Sequence, residues 1–188
     1  MATVDTSTED RPTRELILDA AEQVVARDGA KRLTIDAVVK QSGFSKGGVL
    51  YNFPSKLALV QGMVQRMVEF AQAEHARAIE DARAENAPLA PAIMQAMCGF
   101  KEMDNQVSMG LLAAVAEHPE LIDPIREAMA AIRDELLTHA PDPELARIAM
   151  LAADGMHFTD ILGLDVLTDE ERAATVARLV SLVLEPSS

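Results

Sequence analysis

Residues 34–56 read TIDAVVKQSGFSKGGVLYNFPSK, and the reading of this stretch decides the fold. Thr34 suits the position just before a helix, because its hydroxyl can accept a bond from an otherwise unpaired backbone N–H. Ile35, Val38 and Val39 then recur on one face at helical spacing. Ser42-Gly43-Phe44 breaks that helix, since glycine enters the left-handed backbone of a tight turn without steric cost. Ser45 can cap a second short helix from Lys46 to about Phe53, with Val49 and Phe53 four apart on its inner face. Pro54 stops it, because the residue before a proline is pushed out of the α region. Two short helices joined by a tight glycine turn form a helix-turn-helix, an arrangement whose second helix enters the major groove of DNA.

On the N-terminal side, Leu16, Ile17, Ala20, Ala21, Val24 and Val25 form the apolar stripe of a helix from Thr13 to Asp28, ended by Gly29. It is expected to pack across the two short helices and complete a DNA-binding domain over residues 13–54, preceded by a disordered polar arm, 1–12. On the C-terminal side a long helix starts near Ser55 and can run to about Glu85, a natural lever into a second domain, 55–188. Gly62 inside it is either a close-packing point or a flexible one. Asn86-Ala87-Pro88 breaks the chain, and further helices are expected at about 89–104, 108–117, 120–139, 143–163 and 168–184. Asp142-Pro143 and the Thr168…Glu171 capping box give clear starts for the last two. Strand signals are absent, so the fold class is all-α.

The stretch resembles the TetR family of transcriptional regulators. Ile17, Ala20, Ala21, Gly29, Thr34, Val38, Gly43, Ser45-Lys46-Gly47-Gly48, Tyr51, Phe53, Pro54, Ser55 and Lys56 carry the resemblance in one register. The chain departs from it at Leu50, Asn52 and Ala58, where the family often has tyrosine, histidine and a capping glutamate. The resemblance implies a ligand-responsive DNA-binding regulator, most simply a repressor released from its operator, and a helical effector-binding and dimerisation domain. It also implies that Thr34, Tyr51, Asn52 and Lys56 lie at phosphates, with Ser45 among the DNA-binding residues. Gly47 and Gly48 would let the backbone approach the groove, with base contacts falling to Lys46 and to Val49 or its neighbours.

Charge agrees once it is divided. The net −13 looks wrong for a DNA binder, but residues 1–60 carry eight basic and eight acidic residues, and 61–188 carry nine and 22. Within 31–56 stand Lys31, Arg32, Lys40, Lys46 and Lys56 against Asp36 alone, so positive charge gathers where phosphates would lie. One cysteine, Cys98, excludes an internal disulfide. No apolar run approaches the ~20 residues of a membrane span, and the polar N-terminus does not read as a signal peptide, so a cytoplasmic protein without membrane contact is expected. Hydrolase, nucleotide and zinc-protease motifs are missing, so an enzyme is not expected, nor a cofactor.

The last two helices are apolar around most of their circumference, which demands burial on two faces. Ala149, Ala152, Val176, Val180 and Val183 are therefore candidate contacts with a second subunit, in the four-helix arrangement that the resemblance implies. Ten methionines, eight of them between Met63 and Met150, stand beside five Phe, one Tyr and no Trp. Met94, Met97, Phe100 and Met103 share a helix face. With Met109, Met156 and His157 they are candidates to line a pocket for a small apolar effector, methionine being adaptable. A methionine-filled core is the plainer reading of any one of them. Asp154, His157 and Asp160 could in principle ligate a metal, but solvated polar positions explain them more simply. The rival of another class is a helical protein-interaction adaptor.

Overall fold

The computed structural model describes residues 12–99, 105–164 and 166–186, which form nine α-helices and two 3-10 turns, with no strand among the described residues. The expected N-terminal arm, all but Pro12, lies outside them, as do Phe100, Met103 and the expected end of the fifth helix. Helix α1 is Thr13–Asp28, α2 Ile35–Ser42, α3 Lys46–Asn52 and α4 Lys56–Ala84. Then follow α5 Leu89–Gly99, α6 Asn105–Glu117, α7 Asp123–His139, α8 Pro143–Ile161 and α9 Asp169–Leu182. The 3-10 turns are Ala30–Arg32, between α1 and α2, and Pro119–Ile122, before α7.

The helix starts have the chemistry their residues foretell. The Thr34 hydroxyl accepts from the Ala37 N–H, Ser45 from Gly48 and Ser55 from Ala58, each at 3.1 Å. Gly43 takes φ 74°, the left-handed value that closes α2. Asp142 accepts from Glu144 and Leu145, and Thr168 and Glu171 cap one another reciprocally.

Most of the buried apolar side chains fall into two clusters. The first joins α1, α2 and α3 to the early turns of α4 and to Val107, Leu111 and Leu121. The second is centred on α5, whose Ala90, Ile93 and Met94 pack with residues of α4, α7, α8 and α9. Helix α4, about 44 Å long at 1.5 Å per residue, contributes Leu59 to Val64 to one cluster and Ile79 to the other. Helix α4 thus takes part in both clusters.

Gly62 resolves toward close packing. A Cβ there would lie 2.6 Å from Phe53 Cε1 and 3.0 Å from Leu18 Cδ2, so α4 crosses α1 with no room for a side chain. Arg66, one turn further on, donates to Asp19 at 2.7 Å, Glu22 at 2.5 Å and Glu15 at 3.5 Å, all on α1. Charge-assisted pairs of this kind fix orientation, and here they hold α4 to the helix that backs α2 and α3.

Candidate DNA interface and effector region

Helix α3 is short because Pro54 follows it, and its single apolar face is spent on the core. Val49 and Phe53 are buried there, packed with residues of α1 and α4. Val49 or a neighbour was expected at a base, and burial excludes Val49 itself: a wholly buried side chain cannot reach a groove. Its half-buried neighbour Leu50 is the apolar group nearer the surface. On the outer face, nothing lies within 4 Å of a Cβ built on Gly47, and one on Gly48 would touch only Ser45 Oγ at an ordinary 3.4 Å. Each glycine costs a helix about 1 kcal/mol relative to alanine. No internal contact requires either glycine.

Around this bare face stand groups able to donate. Thr34 and Ser45 use their oxygens as caps and keep a hydroxyl proton free to give outward. Tyr51 is 90% exposed, far more than any other large apolar side chain described in the DNA-reading half. The Lys46 ammonium lies 2.8 Å from the Asp36 carboxylate on α2. Lys56 donates to the Ala30 carbonyl at 3.4 Å, which sets it beside the turn carrying exposed Lys31 and Arg32. That basic group joins α4 to residues 26 positions earlier in the chain. Asn52 is turned back, its amide donating to the Gly48 carbonyl at 3.0 Å, so one of its two N–H bonds is already committed.

The candidate effector residues divide. Met94 is wholly buried and Met156 buried in the second cluster, with Met97 packed half-buried against it. Met109 on α6 is exposed, His157 is half-buried and Phe100 lies outside the described residues. Cys98 Sγ sits 4.0 Å from Met94 Sδ, and burial pushes its thiol up, the behaviour of a small core residue. Burial holds His157 below its ordinary value of 6.5 despite Asp160 and Asp154, and raises the Asp154 carboxyl. Asp160 pairs with Arg172 of α9 at 2.6 Å, and among the described residues no three His, Cys, Asp or Glu side chains converge on a metal position. Two cavities lie elsewhere. One of about 390 Å³ lies between Arg14, Phe53, Gly62 and Leu121, and one of about 300 Å³ lies against His75, Ile79 and Glu135.

The candidate subunit contacts also divide. Helix α8 carries two interleaved apolar stripes at three–four spacing. Ala146, Ala149, Ala153 and Met156 are buried in their own subunit. Ile148, Leu151, Phe158 and Leu162 face out with 57%, 64%, 52% and 49% exposure, and Gly155 continues their line. Ala149 and Val183 are thus enclosed within one chain, while Ala152, Val176 and Val180 are half-buried. On α9 the small Ala174, Ala177 and Ser181 are exposed along one line, with Arg178 exposed beside them and Leu184 exposed just past the helix end.

Comparison with known proteins places this geometry. Residues 17–63 match the family described as bacterial regulatory proteins, tetR family, and residues 87–184 the tetracyclin repressor-like C-terminal domain. The HTH-type transcriptional regulator UidR of Escherichia coli is 34% identical over 73 residues, 39% of this chain and 37% of the relative. The uncharacterized HTH-type regulator TtgW of Pseudomonas putida is 32% identical over 59 residues, 31% of this chain and 44% of the relative. The chain therefore spans less than half the length of these curated relatives. Among solved structures, a transcriptional regulator from Rhodococcus superposes with a TM-score of 0.69 at 20% identity, over 92% of this chain and 96% of that one. The multidrug binding protein EbrR complexed with malachite green gives 0.67 at 22%, over 92% and 98%. At those identities the structures speak for the fold alone. No described helix is long and apolar enough to cross a membrane. With both of its parts matched, the chain belongs to the TetR family of DNA-binding, helix-turn-helix transcriptional regulators, which are not enzymes.

Proposed function

We propose that the chain is a homodimeric repressor of a palindromic operator, working in the cytoplasm and released by a small, mainly apolar effector. Residues 13–54 would read double-stranded DNA, and 55–188 would bind effector and partner. The observation that carries the DNA reading is the bare outer face of α3, where a side chain added at Gly47 would meet nothing and one at Gly48 only Ser45 Oγ. Such a face lets the helix backbone sit deep in the major groove. Lys46 then donates to a guanine edge, and Leu50 takes the thymine-methyl contact that buried Val49 cannot make. Thr34, Ser45, Tyr51 and Lys56 bind phosphate and set the register, with the free N–H of Asn52 as a minor addition.

The exposed stripe Ile148, Leu151, Gly155, Phe158 and Leu162 supports the dimer. Large apolar residues at that spacing suit a second helix, and the small outer residues of α9 leave room for them. Two α3 helices in such a dimer recognise half-sites about one DNA turn apart, near 34 Å.

The effector reading rests on the methionines of the second cluster and on His157 as a neutral polar anchor. One similar structure is that of a multidrug binding protein, which fits an adaptable apolar site. Because Met94 and Met156 are close-packed, ligand entry must displace them, which flexible thioethers allow. The same packing favours the second reading, a regulator without a small-molecule effector. Helix α6 offers the route of coupling. A Cβ on Gly110 would lie 2.9 Å from Ala30 Cβ and 3.0 Å from Val25 Cγ1, and α6 also packs on α8. A shift of α6 would therefore push directly on the turn beside Lys56. By linkage, an effector that weakens DNA binding is itself bound more weakly by the DNA complex.

The test is selection of sites from a randomised duplex pool, followed by titration at several salt concentrations. Lys46→Ala should relax sequence preference, by about 1–3 kcal/mol at one base pair. Lys56→Ala should weaken binding to every duplex and lower the salt slope by about one unit. Equal losses on selected and scrambled duplexes for both variants would contradict this division of labour.

A further inference from the structure

We infer that Asp36 is a specificity-determining residue of this surface: its carboxylate holds the Lys46 ammonium for a base edge and withholds it from phosphate. The inference rests on the reading of Lys46 given above. Asp36 is the only acid among residues 31–56, which carry five cations, so a carboxylate here opposes the surface on which it stands. Its place near the start of α2 suits the positive end of a helix and explains why it is tolerated there. That does not explain its partner. The pair reaches ten residues along the chain, across the turn at Gly43, to the first residue of α3, at 2.8 Å with both side chains exposed.

The donors of lysine make the consequence specific. An ammonium has three N–H bonds and no acceptor. With one given to Asp36, two remain, and guanine offers two acceptors on its major-groove edge, where adenine offers one acceptor and a donor. A lysine without this restraint turns to the nearest phosphate, and phosphate contact is the sequence-independent part of binding. The exposed carboxylate repels phosphate on every duplex. Only where a base rewards the restrained lysine is that repulsion offset. Asp36 thus lowers non-specific affinity more than specific affinity.

Asp36→Asn in the full-length chain tests this, since the amide keeps one acceptor for Lys46 while the charge is removed and one oxygen becomes an NH2 donor. The duplexes are a site selected from a randomised pool by the wild-type protein and its scrambled counterpart, titrated across salt. The expected result is about five- to ten-fold tighter binding to the scrambled duplex, a smaller change on the selected one and a salt slope steeper by about one unit. In a Lys46→Ala background the effect of Asp36→Asn on the selected-to-scrambled ratio should vanish, the coupling that a double-mutant cycle reads. A ratio unchanged by Asp36→Asn, with Lys46→Ala still relaxing preference, overturns this inference alone. Equal weakening on both duplexes together with a lower Tm makes Asp36 a mere strut between α2 and α3, and also overturns it. If Lys46→Ala leaves sequence preference intact, the reading of Lys46 falls first and this inference with it.

Discussion

The two halves of the molecule finish their cores differently. In the DNA-reading half the large apolar residues of α1, α2 and α3 are buried or half-buried within one chain, and Tyr51 alone among them is exposed. In α8, α9 and the segment between them, eight large apolar residues from Ile148 to Leu184 remain exposed. The surface of the first half is bare where DNA would come. That of the second is apolar where another protein surface would come. Exposed apolar residues grouped in this way suit burial against another protein surface. One half closes its apolar surface within the chain, and the other leaves apolar surface that the proposed dimer would cover.

The strongest way to break the comparison is a charge on the outer stripe. Leu151→Glu should leave an unpaired charge in the subunit contact, weakening the dimer by about 3 kcal/mol or more, a hundred-fold or greater rise in its dissociation constant. Binding to a palindrome should fall with it, while helix content by circular dichroism stays near wild type. The same change at Val180, which packs half-buried on the second cluster, should also lower the stability of the subunit itself.

Glycine sharpens the contrast at smaller scale. Gly62→Ala gains about 1 kcal/mol of helix propensity but drives a methyl into the buried Phe53 ring, an overpacking that costs about 1–3 kcal/mol. Urea unfolding should therefore show net destabilisation. Gly155→Ala meets nothing within 4 Å in its own subunit. It should stabilise the isolated subunit by up to about 1 kcal/mol while weakening dimerisation, if the partner helix crosses there. A variant as stable as wild type at position 62 would mean that the crossing of α4 over α1 is loose.

Acid separates the halves least. Burial depresses His75 and His157 below 6.5, so the folded protein binds fewer protons than the unfolded chain near that pH. Their contribution is complete above about pH 6.5 and is lost as pH falls through the depressed folded values. Asp154, raised by burial, acts in the opposite sense, relieving its cost as it protonates at lower pH. Tm should fall from neutral pH into the mildly acid range, and His157→Gln should reduce that fall. An unchanged slope would mean that His157 is hydrated in the folded state.

What was legible in the chain was what depends on near neighbours. Thr34, Gly43, Ser45 and Pro54 each act within four residues, and α2 and α3 begin and end where those residues direct. The placing of Val49 was legible too, since its spacing from Phe53 put it on the inner face, and the base contact assigned to it contradicted that spacing. Helix α8 was not decidable. Its residues 146, 149, 153 and 156 and its residues 148, 151, 155, 158 and 162 both keep helical spacing. Which stripe turns home depends on where α5 and α9 lie, a contact distant in sequence. The pairing of Asp36 with Lys46 needed the angle of the turn between them, and the burial of Met94 with Met156 needed α5 set against α8.

The most direct test of the account is the mass of the full-length protein in solution, by sedimentation equilibrium at micromolar concentration without DNA. A dimer is expected that dissociates only on dilution well below that range, with Leu151→Glu running as a single folded chain. A wild-type protein that sediments as one chain at tens of micromolar, with its α8 stripe open to solvent, would contradict it.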